Sequence, residues 1–154
     1  MMENLALASE KVVNEANGLL QLYRPPGNSG ATSYISNWNP SLMDPEIITV
    51  NVTTLDNAMQ NKVKFWEGSN MLIKIDVEGG ELEVLSGGIN FITRARPIII
   101  LEYRQDLLKA REKELLAMVE LLPDYCKKSL LTNGKNGKIY LEHWESTKKK
   151  FELA

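Results

Sequence analysis

The chain has 154 residues, of which 44% are hydrophobic and 25% are charged. These values are typical of one soluble globular domain, so we expect residues 1–154 to form a single domain. The formal charge of -2 is too small to favour nucleic acid or an anionic membrane as a partner. We find no signal peptide and no apolar run of transmembrane length, which favours a cytoplasmic protein.

The sequence holds one cysteine, Cys126, and one histidine, His143. A single cysteine forms no internal disulfide, and one residue of each type does not complete a zinc site of the Cys/His kind. A serine or cysteine nucleophile activated by histidine would have to use His143. We therefore assign no metal ligand and no histidine-activated nucleophile.

The first third of the chain predicts strands and turns. The apolar run at 5–8 predicts a buried strand. Residues 11–13 and 19–23 flank an Asn-Gly pair that permits positive φ angles, which predicts a hairpin. Residues 24–45 are rich in Pro, Gly, Asn and Ser, which indicates a surface loop of the kind that often carries function.

Strands and helices alternate in the middle of the chain. Residues 46–52 alternate as a strand does, and 53–56 begin a short helix with a hydroxyl cap and an early acid. Residues 71–76 predict a buried strand. After two glycines, one core-facing stripe of apolar residues follows at helical spacing, formed by Leu82, Leu85, Ile89 and Ile92.

The next strand is predicted at Ile98–Leu101, apolar on both faces as a central parallel strand is, and it is followed by Glu102. An amphipathic helix is then predicted from Leu108 to a stop near Pro123, and a terminal antiparallel hairpin within 125–143. The alternation of strand and helix predicts an α/β layered sheet with parallel crossovers.

Carboxylates follow both predicted parallel strands. Asp76 and Glu78 end the strand predicted at 71–76, and Glu102 ends the strand predicted at 98–101. Ligands of open α/β sheets bind outside the carboxyl ends of the strands. A carboxylate there accepts a proton from a hydroxyl, orients an amine, binds a divalent cation or faces a cationic sulfonium. The alternative is that Glu78 and Glu81 complement the positive end of the following helix, with the two glycines between them permitting a tight turn.

The segment at 72–88 closely resembles the central motif of FkbM-family methyltransferases, which runs Lys-Ile-Asp-Val-Glu-Gly-x-Glu and continues into a Leu-x-Gly stretch. The sequence here reads Lys74-Ile75-Asp76-Val77-Glu78-Gly79-Gly80-Glu81, followed by Leu85-Ser86-Gly87. Residues 5–9, 52–56 and 96–102 resemble further segments of the same family in the same order.

This resemblance implies a Rossmann-like class I methyltransferase sheet. It also implies that S-adenosylmethionine is the cofactor. The methyl group is typically transferred to an oxygen, here the hydroxyl of a small metabolite or sugar. The resemblance places Asp76 at the tip of the family's fourth strand, near the methyl group, and Ser9 at the tip of the third, near the adenine. We therefore expect Asp76, Glu78 and Glu102 in the catalytic site, and Ser9 and Asp76 at the cofactor.

The resemblance begins at the family's third strand. We therefore expect an N-terminally incomplete domain that lacks the first two strands and their glycine-rich cofactor turn. Their absence leaves the strand at 71–76 with an unpaired apolar edge, which invites a homo-oligomer or a complementing chain. A second hypothesis is a non-catalytic remnant that binds a protein through this edge and the loop at 24–45.

Overall fold

The structure is a computed structural model that describes residues 5–36, 44–62, 64, 67–68, 70–102, 108–133 and 139–143. Within these residues it is an α/β protein with three small sheets and five α-helices. In chain order the elements are β1 (Ala6–Leu7), α1 (Glu10–Glu15), β2 (Leu19–Arg24), a 3₁₀ turn (Ser29–Ala31), β3 (Glu46–Thr53), α2 (Leu55–Gln60), β4 (Leu72–Ile75), α3 (Glu81–Ser86), α4 (Ile89–Ala95), β5 (Ile98–Leu101), α5 (Leu108–Leu121), β6 (Ser129–Asn133) and β7 (Ile139–His143).

The first sheet contains β1, β3 and β2 in that order. The central strand β3 is parallel to β1 and antiparallel to β2. The predicted strands at 5–8 and 46–52 are both present. At their carboxyl ends Ala8 and Val52 are buried.

The predicted hairpin between residues 11–13 and 19–23 is wrong, because the first of these segments is helical. Helix α1 begins after Ser9, whose hydroxyl accepts a hydrogen bond from the Val12 N–H at 3.3 Å. Glu10 lies in the first turn, where its charge favours the positive helix end. A serine cap followed by an acid is a helix start signal, and it outweighs the short β-branched pair that suggested a strand.

The Asn-Gly pair takes the expected left-handed conformation, with φ 48° at Asn17 and φ 77° at Gly18. It reverses the chain after a helix instead of joining two strands. The strand that follows, β2, pairs with β3 along its whole length.

The second sheet consists of β4 and β5, which are parallel with Leu72 opposite Ile98. Both strands and their parallel pairing were expected from the sequence. The apolar stripe between them forms two short helices, α3 and α4, because the chain turns at Gly87 and Gly88.

Only one face of this sheet is covered by the described residues. Ile75 is 3% exposed, whereas Leu72 and Ile98 on the opposite face are 59% and 67% exposed. The expectation that β5 is buried on both faces is therefore wrong for this structure. Both faces of β5 carry apolar side chains, but the described elements cover only one of these faces.

The main core lies between the inner face of β4 and the helices. It includes Leu55, Ile75, Val84, Leu85, Phe91, Ile92, Leu115 and Met118. Burial of one such side chain contributes about 1.5–3 kcal/mol. Helix α5 supplies two of these residues and ends before Pro123, as predicted, and the predicted terminal hairpin is present as antiparallel β6 and β7.

Asp56 joins helix α2 to helix α4. Helix α2 begins after Thr54, whose hydroxyl accepts a hydrogen bond from the Asn57 N–H, so the predicted hydroxyl cap is present. The Asp56 carboxylate then reaches the start of α4, where it accepts hydrogen bonds from the Phe91 N–H at 2.7 Å and the Asn90 side-chain amide at 2.8 Å. One carboxylate thereby caps a helix 34 residues away in sequence.

We expect Asp56→Ala to lower the free energy of unfolding by about 1.5–3 kcal/mol, the usual range for hydrogen bonds to a charged group. Urea unfolding followed by circular dichroism measures this change. Asp124→Ala removes an equal charge from an exposed site and serves as the control. Equal stability of the two variants would show that the cap on α4 contributes nothing.

Candidate active site

A cavity of about 410 Å³ lies between β1 and β4. Its walls are formed by residues 5–8, by Leu20 and Leu22 of β2, by the loop after β2, by residues 73–77 and by the start of α3. This volume falls within the usual range of small-molecule sites, and the lining is largely apolar. Asp76 is in the wall, so the cavity reaches the carboxyl end of β4.

Lys74 brings two of the three predicted catalytic carboxylates together. Its ammonium group lies 2.5 Å from Asp76 Oδ2 and 3.4 Å from Glu102 Oε2. The side chains are 55%, 39% and 60% exposed, in the order Lys74, Asp76 and Glu102, so these ion pairs add little to stability. The parallel pairing of β4 with β5 places both acids at one end of the sheet.

This arrangement affects the charge of the lysine. The hydrogen bond to Asp76 raises the pKa of Lys74, and the charges of Asp76 and Glu102 act in the same direction, while desolvation opposes them. Lys74 therefore stays protonated at neutral pH. A cation that binds at Asp76 has to compete with it.

Glu78 and Glu81 have different roles in the turn after β4. Glu81 is 4% exposed, and its Oε1 accepts a hydrogen bond from the Gly79 N–H at 3.1 Å. It lies in the first turn of α3, in agreement with the helix-end interpretation. Glu78 is half-buried in the left-handed conformation with φ 46°, outside the cavity lining, and its catalytic role stays a prediction.

The loop after β2 contributes residues that the sequence did not single out. Ser33 is 2% exposed and donates a hydrogen bond from its hydroxyl to the Glu78 carbonyl at 2.7 Å. Its backbone also pairs with Tyr23 at the end of β2. The neighbouring Thr32 and Tyr34 line the cavity. Turn-forming composition indicated a functional loop here, but only the fold shows which of its side chains reach the site.

Ser9, the expected adenine contact, lies next to the cavity wall but outside its lining. Its hydroxyl caps α1, whereas the preceding Ala8 is part of the wall. A contact between Ser9 and a cofactor stays a prediction. Among the described residues there is no group of three or more His, Cys, Asp or Glu side chains placed to hold a metal ion.

An α/β protein with carboxylates at the ends of adjacent parallel strands, beside a cavity of this size, has the architecture of a small-molecule binding protein or enzyme. The model of the family described as methyltransferase FkbM domain matches residues 3–129. The chain therefore belongs to the FkbM methyltransferase family, which confirms the resemblance seen in the sequence. No curated protein and no solved structure gives a significant match. In the part of the chain that is described, no helix has the length and apolar character needed to cross a bilayer.

Proposed function

We propose that this protein is an S-adenosylmethionine-dependent methyltransferase that methylates a hydroxyl group of a small metabolite or sugar. The placement of Asp76 carries this proposal: it lies at the carboxyl end of β4, in the wall of the cavity, in a chain of a methyltransferase family. The family match favours this activity over a non-catalytic protein-binding module. A cytoplasmic location stays a prediction.

The side chains around the cavity suit this cofactor. Leu20, Leu22 and Leu55 present apolar surface of the kind that an adenine ring packs against. The carboxylate of Asp76 offers negative charge to a sulfonium. When bound, S-adenosylmethionine supplies an electrophilic methyl group. Ser9, close to the end of β1, is proposed to contact the adenine side.

Asp76 is the proposed acceptor-side base. A carboxylate within hydrogen-bonding reach of the acceptor hydroxyl orients that hydroxyl and accepts its proton. Lys74 holds this carboxylate in place, and Glu102 shares the lysine from the neighbouring strand. Glu78 is proposed as a further support, because its carbonyl joins the turn after β4 to Ser33.

Calorimetric titration with S-adenosylhomocysteine tests the proposal without knowledge of the methyl acceptor. We expect micromolar binding. Leu22→Glu places a polar group in the cavity wall and is expected to weaken binding about tenfold or more. Gln21→Glu, on the exposed face of the same strand, is the matched control with little expected effect. A folded chain that does not bind the ligand would contradict the proposed function.

A further inference from the structure

The turn after β4 has a backbone conformation that residues other than glycine rarely adopt. It runs from Val77 to Gly80, whose N–H donates a hydrogen bond to the Val77 carbonyl at 3.4 Å. Both central residues have positive φ angles, 46° at Glu78 and 108° at Gly79. Positive φ at both central positions is the pattern of a type I′ turn. The Cβ of Glu78 disfavours this conformation, so contacts outside the turn have to stabilise it.

Two buried side chains hold the central peptide of this turn, one at each end. The Ser33 hydroxyl donates to the Glu78 carbonyl at 2.7 Å, and Glu81 Oε1 accepts a hydrogen bond from the Gly79 N–H at 3.1 Å. This carbonyl and this N–H belong to the same planar peptide group and point in opposite directions. We call the two hydrogen bonds the peptide clamp.

The peptide clamp opposes rotation of that peptide group. The central peptide of a β-turn can rotate by about 180° with little movement of the flanking residues, which interconverts type I′ and type II′ turns. Here the rotation would break both hydrogen bonds at once. Gly79, Ser33 and Glu81 are all buried, so water does not readily replace these bonds.

Ser33 is itself fixed to the first sheet. Its N–H donates to the Tyr23 carbonyl at 3.1 Å, and its carbonyl accepts a hydrogen bond from the Tyr23 N–H at 2.7 Å. Its hydroxyl also accepts a hydrogen bond from the Ile35 N–H at 3.1 Å. The peptide clamp therefore connects the end of β2 to the turn after β4, across 45 residues of sequence.

The turn that the peptide clamp holds forms part of the cavity wall. Asp76, Val77 and Gly80 line the cavity, and Asp76 comes directly before the turn. Tyr34, which follows Ser33 in the chain, lines the cavity as well. Its ring occupies the place of a side chain at Gly80, because a Cβ added there would lie 3.3 Å from Tyr34 Cε1. The orientation of the central peptide therefore affects the wall on both sides of the turn.

We propose that Ser33 is a positioning residue for Asp76. Its hydroxyl holds the central peptide in one orientation and thereby fixes the direction in which the chain leaves β4. That direction determines where the Asp76 carboxylate lies in the cavity wall. Ser33 is outside the cavity lining, so it acts through the turn and not by contact with a substrate. Its role in the reaction rests on the proposed function, whereas the peptide clamp does not.

Amide exchange measured by NMR on the whole chain tests the peptide clamp without a ligand. We expect the Gly79 amide to exchange about tenfold or more slowly than in an unstructured peptide. Ser33→Ala is expected to speed exchange at Gly79 about tenfold, because the central peptide then rotates more readily. Exchange at the Glu102 amide, which bonds to β4, should stay the same and reports on the intact sheet. Ser129→Ala removes a hydroxyl from an exposed position and is the matched control.

Two results would overturn the peptide clamp. The first is exchange at Gly79 in the unaltered chain at the rate of an unstructured peptide, a measurement that is decisive even when Ser33→Ala fails to fold. The second is equal exchange at Gly79 in Ser33→Ala and Ser129→Ala, with the Glu102 amide protected in both variants.

A double-variant cycle tests the role of Ser33 in the proposed reaction. We expect Ser33→Ala to lower kcat for methyl transfer about tenfold or more, since a small displacement of a catalytic group has an effect of this size. The affinity for S-adenosylhomocysteine should change about threefold or less, because Ser33 does not line the cavity. Because Ser33 acts through Asp76, adding Ser33→Ala to Asp76→Asn should lower the rate no further. The assay is formation of S-adenosylhomocysteine from S-adenosylmethionine with a panel of hydroxylated small molecules.

A double variant about tenfold slower than Asp76→Asn would overturn the positioning role, because Ser33 would then act independently of that carboxylate. Equal kcat values for Ser33→Ala and Ser129→Ala would overturn it as well. Failure of the proposed function gives a different result. The unaltered chain would then not bind S-adenosylhomocysteine, while exchange at Gly79 would still decide whether the peptide clamp exists.

Discussion

Replacement of Gly87 by Ala is expected to lower the free energy of unfolding by about 3 kcal/mol, at the upper end of the usual cost of overpacking. A Cβ at this position would lie inside van der Waals contact with the main-chain oxygen of Ala8 and 3.0 Å from its carbonyl carbon. These are backbone atoms, so no rotamer change relieves the overlap. The φ of −78° at Gly87 suits any residue, so the cost is steric. Urea unfolding followed by circular dichroism measures it.

Gly30→Ala is the matched control for this prediction. The nearest atom to a Cβ at Gly30 is the Asn28 side-chain oxygen, 3.4 Å away, and that side chain is exposed and free to move. We expect a change of about 0.5 kcal/mol or less, as for ordinary surface substitutions. A loss of stability at Gly87 no larger than at Gly30 would mean that β1 and the turn between α3 and α4 do not pack this closely.

The environment of Gly87 explains why a glycine follows the central motif. Its carbonyl accepts a hydrogen bond from the Asp56 N–H at 2.9 Å, and a Cβ added to it would overlap the Ala8 carbonyl. The end of β1, the start of α2 and the end of α3 therefore meet at this residue. The sequence showed a glycine in a helical stripe, but the close approach of three segments far apart in the chain is a tertiary property.

Elements with strong local signals could be predicted from the sequence. The run from Ile98 to Leu101 has the length, the β-branched composition and the flanking proline of a strand, and its order after another apolar strand and a helix implies parallel pairing. Both features are present. Thr54 likewise signalled a helix start through its hydroxyl, and it caps α2.

Weak or competing signals account for the errors. In the segment after Ser9, two valines favoured a strand while Ser9 and Glu10 favoured a helix start, and the cap prevailed. Burial of β5 on both faces was inferred from composition, but composition does not specify which elements cover a face. Ile98 is apolar and yet 67% exposed.

In the site, too, features with a local sequence signal could be predicted and features that depend on tertiary contacts could not. The position of Asp76 and Glu102 at the strand ends could be predicted because strand boundaries are readable from the sequence, while their catalytic role stays a prediction. The lysine that joins Asp76 to Glu102, and the Ser33 hydroxyl that fixes the turn at Glu78, depend on distances across the sheet and across 45 residues of chain. Such contacts follow from the fold and have no local signature.

Replacement of Asp76 by Asn is expected to lower kcat for methyl transfer by about 10²–10⁴-fold, the usual contribution of a general base. Asparagine keeps the size of the side chain and its place in the cavity wall, but it does not take the proton of the acceptor hydroxyl. The affinity for S-adenosylhomocysteine should change about threefold or less, because that neutral thioether gains little from the charge of Asp76. Formation of S-adenosylhomocysteine, followed by mass spectrometry with a panel of hydroxylated small molecules, measures the rate.

Two further variants test whether a loss of rate in Asp76→Asn is specific to that carboxylate. Asp124→Asn removes the same charge from an exposed site outside the cavity lining and should leave the rate unchanged. Glu102→Gln acts on Asp76 only through Lys74, so its effect on kcat should be about tenfold or less, as for one exposed charge interaction. A rate in Asp76→Asn close to that of Asp124→Asn would exclude Asp76 as the base. A larger loss in Glu102→Gln than in Asp76→Asn would instead make Glu102, at the end of β5, the proton acceptor, because both carboxylates contact Lys74 although Asp76 alone of the two lines the cavity.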